Sequence, residues 1–218
     1  MRKLLITGFG PFPRVPRNPS ETLARAVAKH PRWRRLGISV EALVLETRYS
    51  AIGEQLLPKL KAFKPDVVLM LGVAGRRKHV SIETRAVNRV SCLMPDANGR
   101  VLGSLAFRPR GPAALYARAP DTRVLRAIRK RGVDARPSRD AGRYLCNASF
   151  YAALEQRHAG SAAQITFIHI PLPGRNAPLR EGERITTSDT TEYCRLCESV
   201  VDAAVTMMAR AFRMARKQ

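Results

Sequence analysis

The chain has 218 residues, 45% hydrophobic and 26% charged, which is the balance of an ordinary globular protein long enough to bury a core without staples. No apolar run approaches the ~20 residues of a membrane span, and four cysteines do not make a disulfide framework in a chain this long, so free thiols in a reducing cytoplasm are expected. Lys and Arg number 39 against 17 Asp and Glu, a formal charge of +22, but they are spread along the chain with no basic tail, RNP-like motif or zinc finger, so charge alone does not make nucleic acid the expected partner.

"KLLITGF" reads as a strand and not as a signal peptide, because Thr7, Gly8 and Gly10 break its apolar run. A proline-rich loop follows to Arg17. "NPSETLARAVAKH" then opens a helix, with Asn18 as cap, Pro19 at the first helical position and Glu21 at the capping-box position. "ISVEALVLE" is a second strand, and "YSAIGEQLLPKLKAF" a helix that Pro58 should kink or interrupt. "PDVVLMLGVAG" has the continuous apolar character of a central strand buried on both faces, whereas "HVSIETRAVNRV" alternates like a strand with two different faces. Ser91 to Pro112 is irregular. A helix around Asp121–Arg131, a short strand near Val133–Arg136, a helix carrying Cys146, the buried strand "QITFIHIPLPG" and a last helix from about Ser188 to Arg213 complete the chain. This alternation predicts an α/β protein: a three-layer α/β/α sandwich with a mostly parallel, twisted sheet and helices on both faces, in one domain over residues 1–218.

Three ionisable residues stand at informative places. Cys146, in "SRDAGRYLCNASF", lies near a helix N-terminus, where unsatisfied N–H groups and the dipole favour a thiolate. His169 lies at the end of a buried strand, where open α/β sheets put their sites. Glu83 lies in the alternating strand after the turn "GVAGRRKH". Taken singly, each has a plainer reading: a small core thiol, a structural histidine and a solvent-side glutamate. Together they supply a nucleophile, a general acid/base and a carboxylate to orient the imidazole, the parts of a thiol hydrolase. Cys194 and Cys197 form a CxxC inside a helical period with no second pair and no nearby histidine, so they read as two thiols on neighbouring helix turns. Cys92 lacks a helix start and reads as structural, and His30, His79 and His158 are expected at solvent.

The segments "VSIETRAVN", "SRDAGRYLCN", "LITGFGPFPRVPRNPS" and "FIHIPLP" resemble, in order and spacing, four signature regions of the pyrrolidone-carboxylate peptidases (pyroglutamyl peptidase type I), covering Leu4 to Pro173. The resemblance implies a cysteine exopeptidase that removes an N-terminal pyroglutamyl (5-oxoproline) residue from peptides, with no metal or organic cofactor and no membrane. Homo-oligomers (dimer or tetramer) and monomers are both compatible with it. Position by position, Cys146 matches the nucleophile, His169 the general acid/base and Glu83 its carboxylate partner. Phe9 and Phe12 match aromatic residues that sandwich the pyrrolidone ring, Asn18 a residue near the ring amide, and Tyr144 and Leu145 the pocket wall. Such a substrate has no free α-amine, so its pocket needs flat apolar walls and a few amide partners, not a carboxylate. The backbone N–H of Cys146 is the expected oxyanion donor, Asp140 the expected helix cap, and Gly142 leaves room near the reacting carbonyl.

Departures from the family pattern are Thr84 and Arg85 after the glutamate, Val73 where many bacterial members have glutamine, and Leu93 where many have arginine. The changes at Val73 and Leu93 leave open a same-fold thiol amidohydrolase with a different acyl substrate. The charge leaves open a basic nucleic-acid-binding protein that has kept the fold.

Overall fold

The computed structural model describes residues 1–12, 16–117, 122–159, 163–172 and 187–215. In chain order these form β1 (Arg2–Phe9), α1 (Pro19–Ala28), α2 (Arg32–Arg35), β2 (Ile38–Leu45) and a π-turn, Ile52–Leu56, that runs into α3 (Leu57–Phe63). There follow β3 (Val67–Val73), β4 (Val80–Glu83), β5 (Arg85–Val87), β6 (Ala114–Tyr116), α4 (Thr122–Arg129), β7 (Ala135–Ser138), α5 (Leu145–His158), β8 (Gln164–Ile170) and α6 (Thr187–Ala215).

The main sheet has the order β2-β1-β3-β8-β4-β7. Every neighbouring pair is parallel except β4 with β8. Side chains alternate across it, as pleating dictates. Leu4, Ile6, Val67, Leu69, Leu71, Val80, Ile82, Ile168 and Ile170 meet α1, α4 and α6 on one face. Leu5, Phe9, Val68, Met70, Ile165 and Phe167 meet α3 and α5 on the other. Glu83 and His169 alternate with Ile82, Ile168 and Ile170, so both project to the α5 face. Fold class and layering are those the sequence predicts.

Local differences have identifiable causes. Pro58 lacks an N–H and cannot close an ordinary helical turn, and the chain accommodates it by the wide turn just before α3. The alternating segment is not one strand with a wet face. It breaks at Thr84, whose N–H and hydroxyl both donate to the Ser138 carbonyl at 2.8 and 2.9 Å. β4, wholly buried, stays in the main sheet, while β5 leaves it to pair with β6. The plainer reading of Glu83 as a solvent-side residue is therefore wrong: it is 1% exposed. The short strand begins at Ala135, later than expected, and neither α2 nor β6 was foreseen.

Asn18 caps α1 as predicted, accepting from the Ser20 N–H at 3.1 Å, but Glu21 pairs with Arg25 and does not complete a capping box. His30 is not at solvent: it is half-buried, 3.0 Å from Glu198 and edge-on to Trp33. Parts of the expected loop beyond Leu172, the helix start at Asp121 and the side chain of His158 lie outside the described residues.

Candidate active site

β8 carries His169 beside Gly72 of β3 on one side and Ser81 of β4 on the other. Because β4 is antiparallel to β8, Glu83 stands opposite Phe167, and its side chain reaches diagonally to the imidazole. Glu83 Oε1 lies 2.9 Å from His169 Nδ1. Fixing one ring nitrogen against a carboxylate aims the other across the ring. The Phe167 ring packs 4.8 Å from the imidazole, centroid to centroid, and Phe150 of α5 packs 5.6 Å from Phe167.

Cys146 is in the first turn of α5, half-buried, with its thiol within hydrogen-bonding reach of His169. Burial alone would lower the imidazole pKa; contact with the Cys146 sulfur and, after it, with the Glu83 carboxylate outweighs burial and raises it to about 9. Through the neutral range His169 therefore carries its proton. The Cys146 N–H belongs to the opening turn of a helix, where donors have no intrahelical acceptor.

The approach to α5 is stitched into the rest of the site. Tyr144, not Asp140, is the N-cap residue. Asp140 instead accepts the Gly142 N–H at 3.0 Å, an Asx-type turn four residues ahead of the cap. Gly142 has open space around it; its φ of 80° is what requires glycine. Asn147, next to the thiol, accepts from Val87 N–H at 2.9 Å and donates to the carbonyls of Val87 and Arg89 at 2.8 and 3.0 Å, tying the β5 segment to α5.

Of the expected pocket residues, Phe12 and Tyr144 come together, with ring centroids 5.5 Å apart. Tyr49 packs edge-on against Tyr144, centroids 5.8 Å apart, and the Tyr144 hydroxyl donates to the Pro95 carbonyl at 2.9 Å. Phe9 and Leu145 are instead buried in the core on the α5 face. Asn18 spends its side chain locally, accepting from Ser20 and donating to the Gly10 carbonyl at 3.0 Å, which also accepts from Thr47 at 3.1 Å. Val73 packs toward the α6 side of the sheet, and Leu93 is 90% exposed.

Sequence reasoning missed several residues that shape the site. Arg77 donates to Glu83 Oε1 at 2.7 Å, and nothing in "GRRKH" distinguishes it from its basic neighbours. Gly72 lies directly beneath the thiol: a Cβ there would come within 2.9 Å of Cys146 Sγ. An isolated glycine inside an apolar strand signals such an approach and could have flagged it. Cys194 and Cys197 are free thiols on adjacent turns of α6, and burial pushes Cys197 up to about 11.

A mostly parallel α/β sheet with a thiol, an imidazole and a buried carboxylate gathered on one face defines a cysteine-hydrolase class of enzyme. Comparison with known proteins narrows the class. The family model described as pyroglutamyl peptidase matches residues 2–188. "Pyrrolidone-carboxylate peptidase 1" of Caldanaerobacter subterraneus subsp. tengcongensis is 30% identical over 213 residues, 96% of this chain and 98% of the relative. A pyrrolidone-carboxylate peptidase of Gloeobacter violaceus is 33% identical over 78% of this chain and 81% of its own length. Among solved structures, pyroglutamyl peptidase I of Bacillus amyloliquefaciens superposes with a TM-score of 0.80 at 26% identity, covering 96% of this chain and 98% of that one. The chain belongs to the pyroglutamyl peptidase family of cysteine peptidases.

Proposed function

We propose that this chain, as a single catalytic domain, hydrolyses an N-terminal pyroglutamyl residue from peptides, with Cys146 as nucleophile, His169 as general acid/base and Glu83 orienting the imidazole. The observation that carries the reading is the contact series from Glu83 through His169 to Cys146 at the start of α5, beside the Phe12–Tyr144 aromatic pair.

The Cys146 thiolate attacks the pyroglutamyl carbonyl carbon, forming a C–S bond and placing the oxyanion at the α5 N-terminus. His169 gives its proton to the departing nitrogen as the C–N bond breaks, and the shortened peptide leaves with a free amine. The neutral imidazole then takes a proton from water. The resulting hydroxide attacks the thioester, the C–S bond breaks, and pyroglutamate and the thiolate are regenerated. The lactam ring stacks on Phe12 and Tyr144, with Phe9, Leu145 and Asn18 supporting that wall from behind.

Val73 packing away from the thiol and Leu93 reaching into solvent favour one second reading, a same-triad amidohydrolase that prefers another acyl group. Among the described residues no helix is long and apolar enough to cross a membrane. Four free thiols suit a reducing cytoplasm, and a homo-oligomer is compatible with the family. The deciding experiment is release of fluorophore from a pyroglutamyl amide by wild type, Cys146→Ala and His169→Ala. Cleavage by wild type alone supports the proposal. Cleavage of prolyl or other acyl amides in its place gives the second reading, and full activity of Cys146→Ala overturns the mechanism.

A further inference from the structure

We infer that Arg77 is a positioning residue for this triad, one guanidinium holding both the carboxylate that aligns the imidazole and the loop that delivers the nucleophile. The inference rests on the triad proposed above.

Glu83 has no accessible side-chain surface. A carboxylate buried that completely needs a counter-charge and fixed donors, or it neutralises. Oε1 takes both, accepting from Arg77 Nη1 at 2.7 Å and facing His169 Nδ1 at 2.9 Å, while Oε2 has no partner among the described residues. Without Arg77 the imidazole would be the one remaining donor to that carboxylate among the described residues. The carboxylate could then turn about its last bond and carry the ring with it.

The second nitrogen of the same fork, Nη2, donates to the Asp140 carbonyl at 2.6 Å. Asp140 opens the turn that ends at the α5 cap, and the Ser91 N–H to Arg143 carbonyl bond of 2.7 Å holds the same turn from the other side. The root of Arg77 is itself fixed, its N–H donating to the Ala74 carbonyl at 2.9 Å in the turn between β3 and β4. One side chain thus spans the turn after β3, the end of β4 and the approach to α5, which carry or border all three reacting groups. A planar guanidinium serves two acceptors in different directions; an ammonium is a point charge and holds both less well. Arg76 and Lys78 on either side are exposed, so position and not charge alone singles out Arg77.

The test compares Arg77→Met, Arg77→Lys and the charge-matched control Arg76→Met, in a chain whose Cys92, Cys194 and Cys197 are serine. Hydrolysis of the pyroglutamyl amide and alkylation of Cys146 by iodoacetamide are both followed against pH, and a thermal melt verifies folding. Arg77→Met should lower kcat about 10- to 100-fold with KM changed less than about twofold, since alignment and not binding is lost. Removing a cation beside the pair should also move the inflection that follows His169 to higher pH in both assays. Arg77→Lys should recover part of kcat and the original inflection, and Arg76→Met should match wild type. The inference is overturned if Arg77→Met behaves like Arg76→Met, or if kcat falls with an unmoved inflection and no recovery in Arg77→Lys. A wild type inert toward the pyroglutamyl amide would mean that the substrate reading has failed. Alkylation then decides alone: a displaced inflection in Arg77→Met sustains the clamp, and an unmoved one removes it.

Discussion

Adding one methyl group at Gly72 should disable the enzyme far more than it unfolds the protein. A Cβ built there would lie 2.8 and 2.9 Å from Cζ and Cε1 of Phe167 and 2.9 Å from Cys146 Sγ, all inside the 3.4–4 Å of ordinary contact. β3 has little room to retreat, because Gly72 is paired with His169 of β8 and the strand is held by β1 as far as Met70. The Phe167 ring is fully buried and wedged between the imidazole and Phe150, so the half-buried thiol has the most freedom to give way. Overpacking of this kind costs about 1–3 kcal/mol, offset by about 0.4–1 kcal/mol from the stiffer unfolded chain. The net loss is then about 0–2.6 kcal/mol, a modest change that urea denaturation measures. A nucleophile displaced by about 1 Å costs about 100-fold in rate. Gly53→Ala is the control, since a Cβ there meets nothing within 4 Å. In the double variant Gly72→Ala, Phe167→Leu the ring clash is relieved, so stability should recover in part while kcat/KM stays low. If Gly72→Ala keeps kcat/KM within about twofold of wild type, the thiol does not lie where the reasoning requires.

Other outcomes follow from particular contacts. Because His169 is raised to about 9 from the ~6.5 of an unfolded chain, its contacts stabilise the fold fully below about 6.5 and fade as pH climbs through about 9. The unfolding free energy of wild type relative to His169→Gln should shrink across that window; a constant difference would contradict the charged-imidazole assignment. By NMR titration, Cys146→Ala should lower the His169 pKa more than Glu83→Gln does, since the sulfur is the larger raising influence; the reverse order would count against it. Asn18→Ala removes the α1 cap and the tie to the Gly10 carbonyl and should cost about 1–2 kcal/mol in denaturant unfolding. Phe12→Ala and Tyr144→Ala should raise KM for the pyroglutamyl amide with a smaller change in kcat, and an unchanged KM in both would remove them from the ring pocket.

The fold was legible because its signals are local. The period-two and continuous apolar runs mark β1, β2, β3 and β8, and the cap at Asn18 fixes where α1 begins. The reacting residue types were legible too, since a cysteine at a helix start and a histidine at a strand end are chain-local facts. What was not legible depends on pairing. Thr84 ends β4 only because the Ser138 carbonyl is there to receive it, and β5 pairs with β6 across a long irregular stretch. Asp140 looked like a cap because it precedes an apolar helix, but the Asx turn it makes with Gly142 uses that carboxylate before the helix starts at Leu145. Arg77 was invisible for the same reason, its two acceptors lying in segments far apart in sequence.

The reversal of β4 is the step from which the site's electrostatics follow. Antiparallel pairing sets Ser81 beside His169 and Glu83 beside Phe167, so the carboxylate lies one pair inward from the imidazole, toward the middle of β8 and away from the sheet edge. There it is walled by the Phe167 ring and loses its water, which makes it a strong electrostatic partner for the imidazole and an expensive charge to keep. A carboxylate at the solvated end of a parallel strand would need no arginine but would be screened and would orient the ring weakly. Burying Glu83 gains alignment and creates the need for a second cation on the same oxygen. The guanidinium from the turn after β3 meets that need, and its other nitrogen reaches the loop that leads to the thiol. Burial of the carboxylate, the inserted arginine and the alignment of Cys146 are therefore one arrangement, and substitutions at Glu83 and Arg77 should be strongly non-additive in kcat.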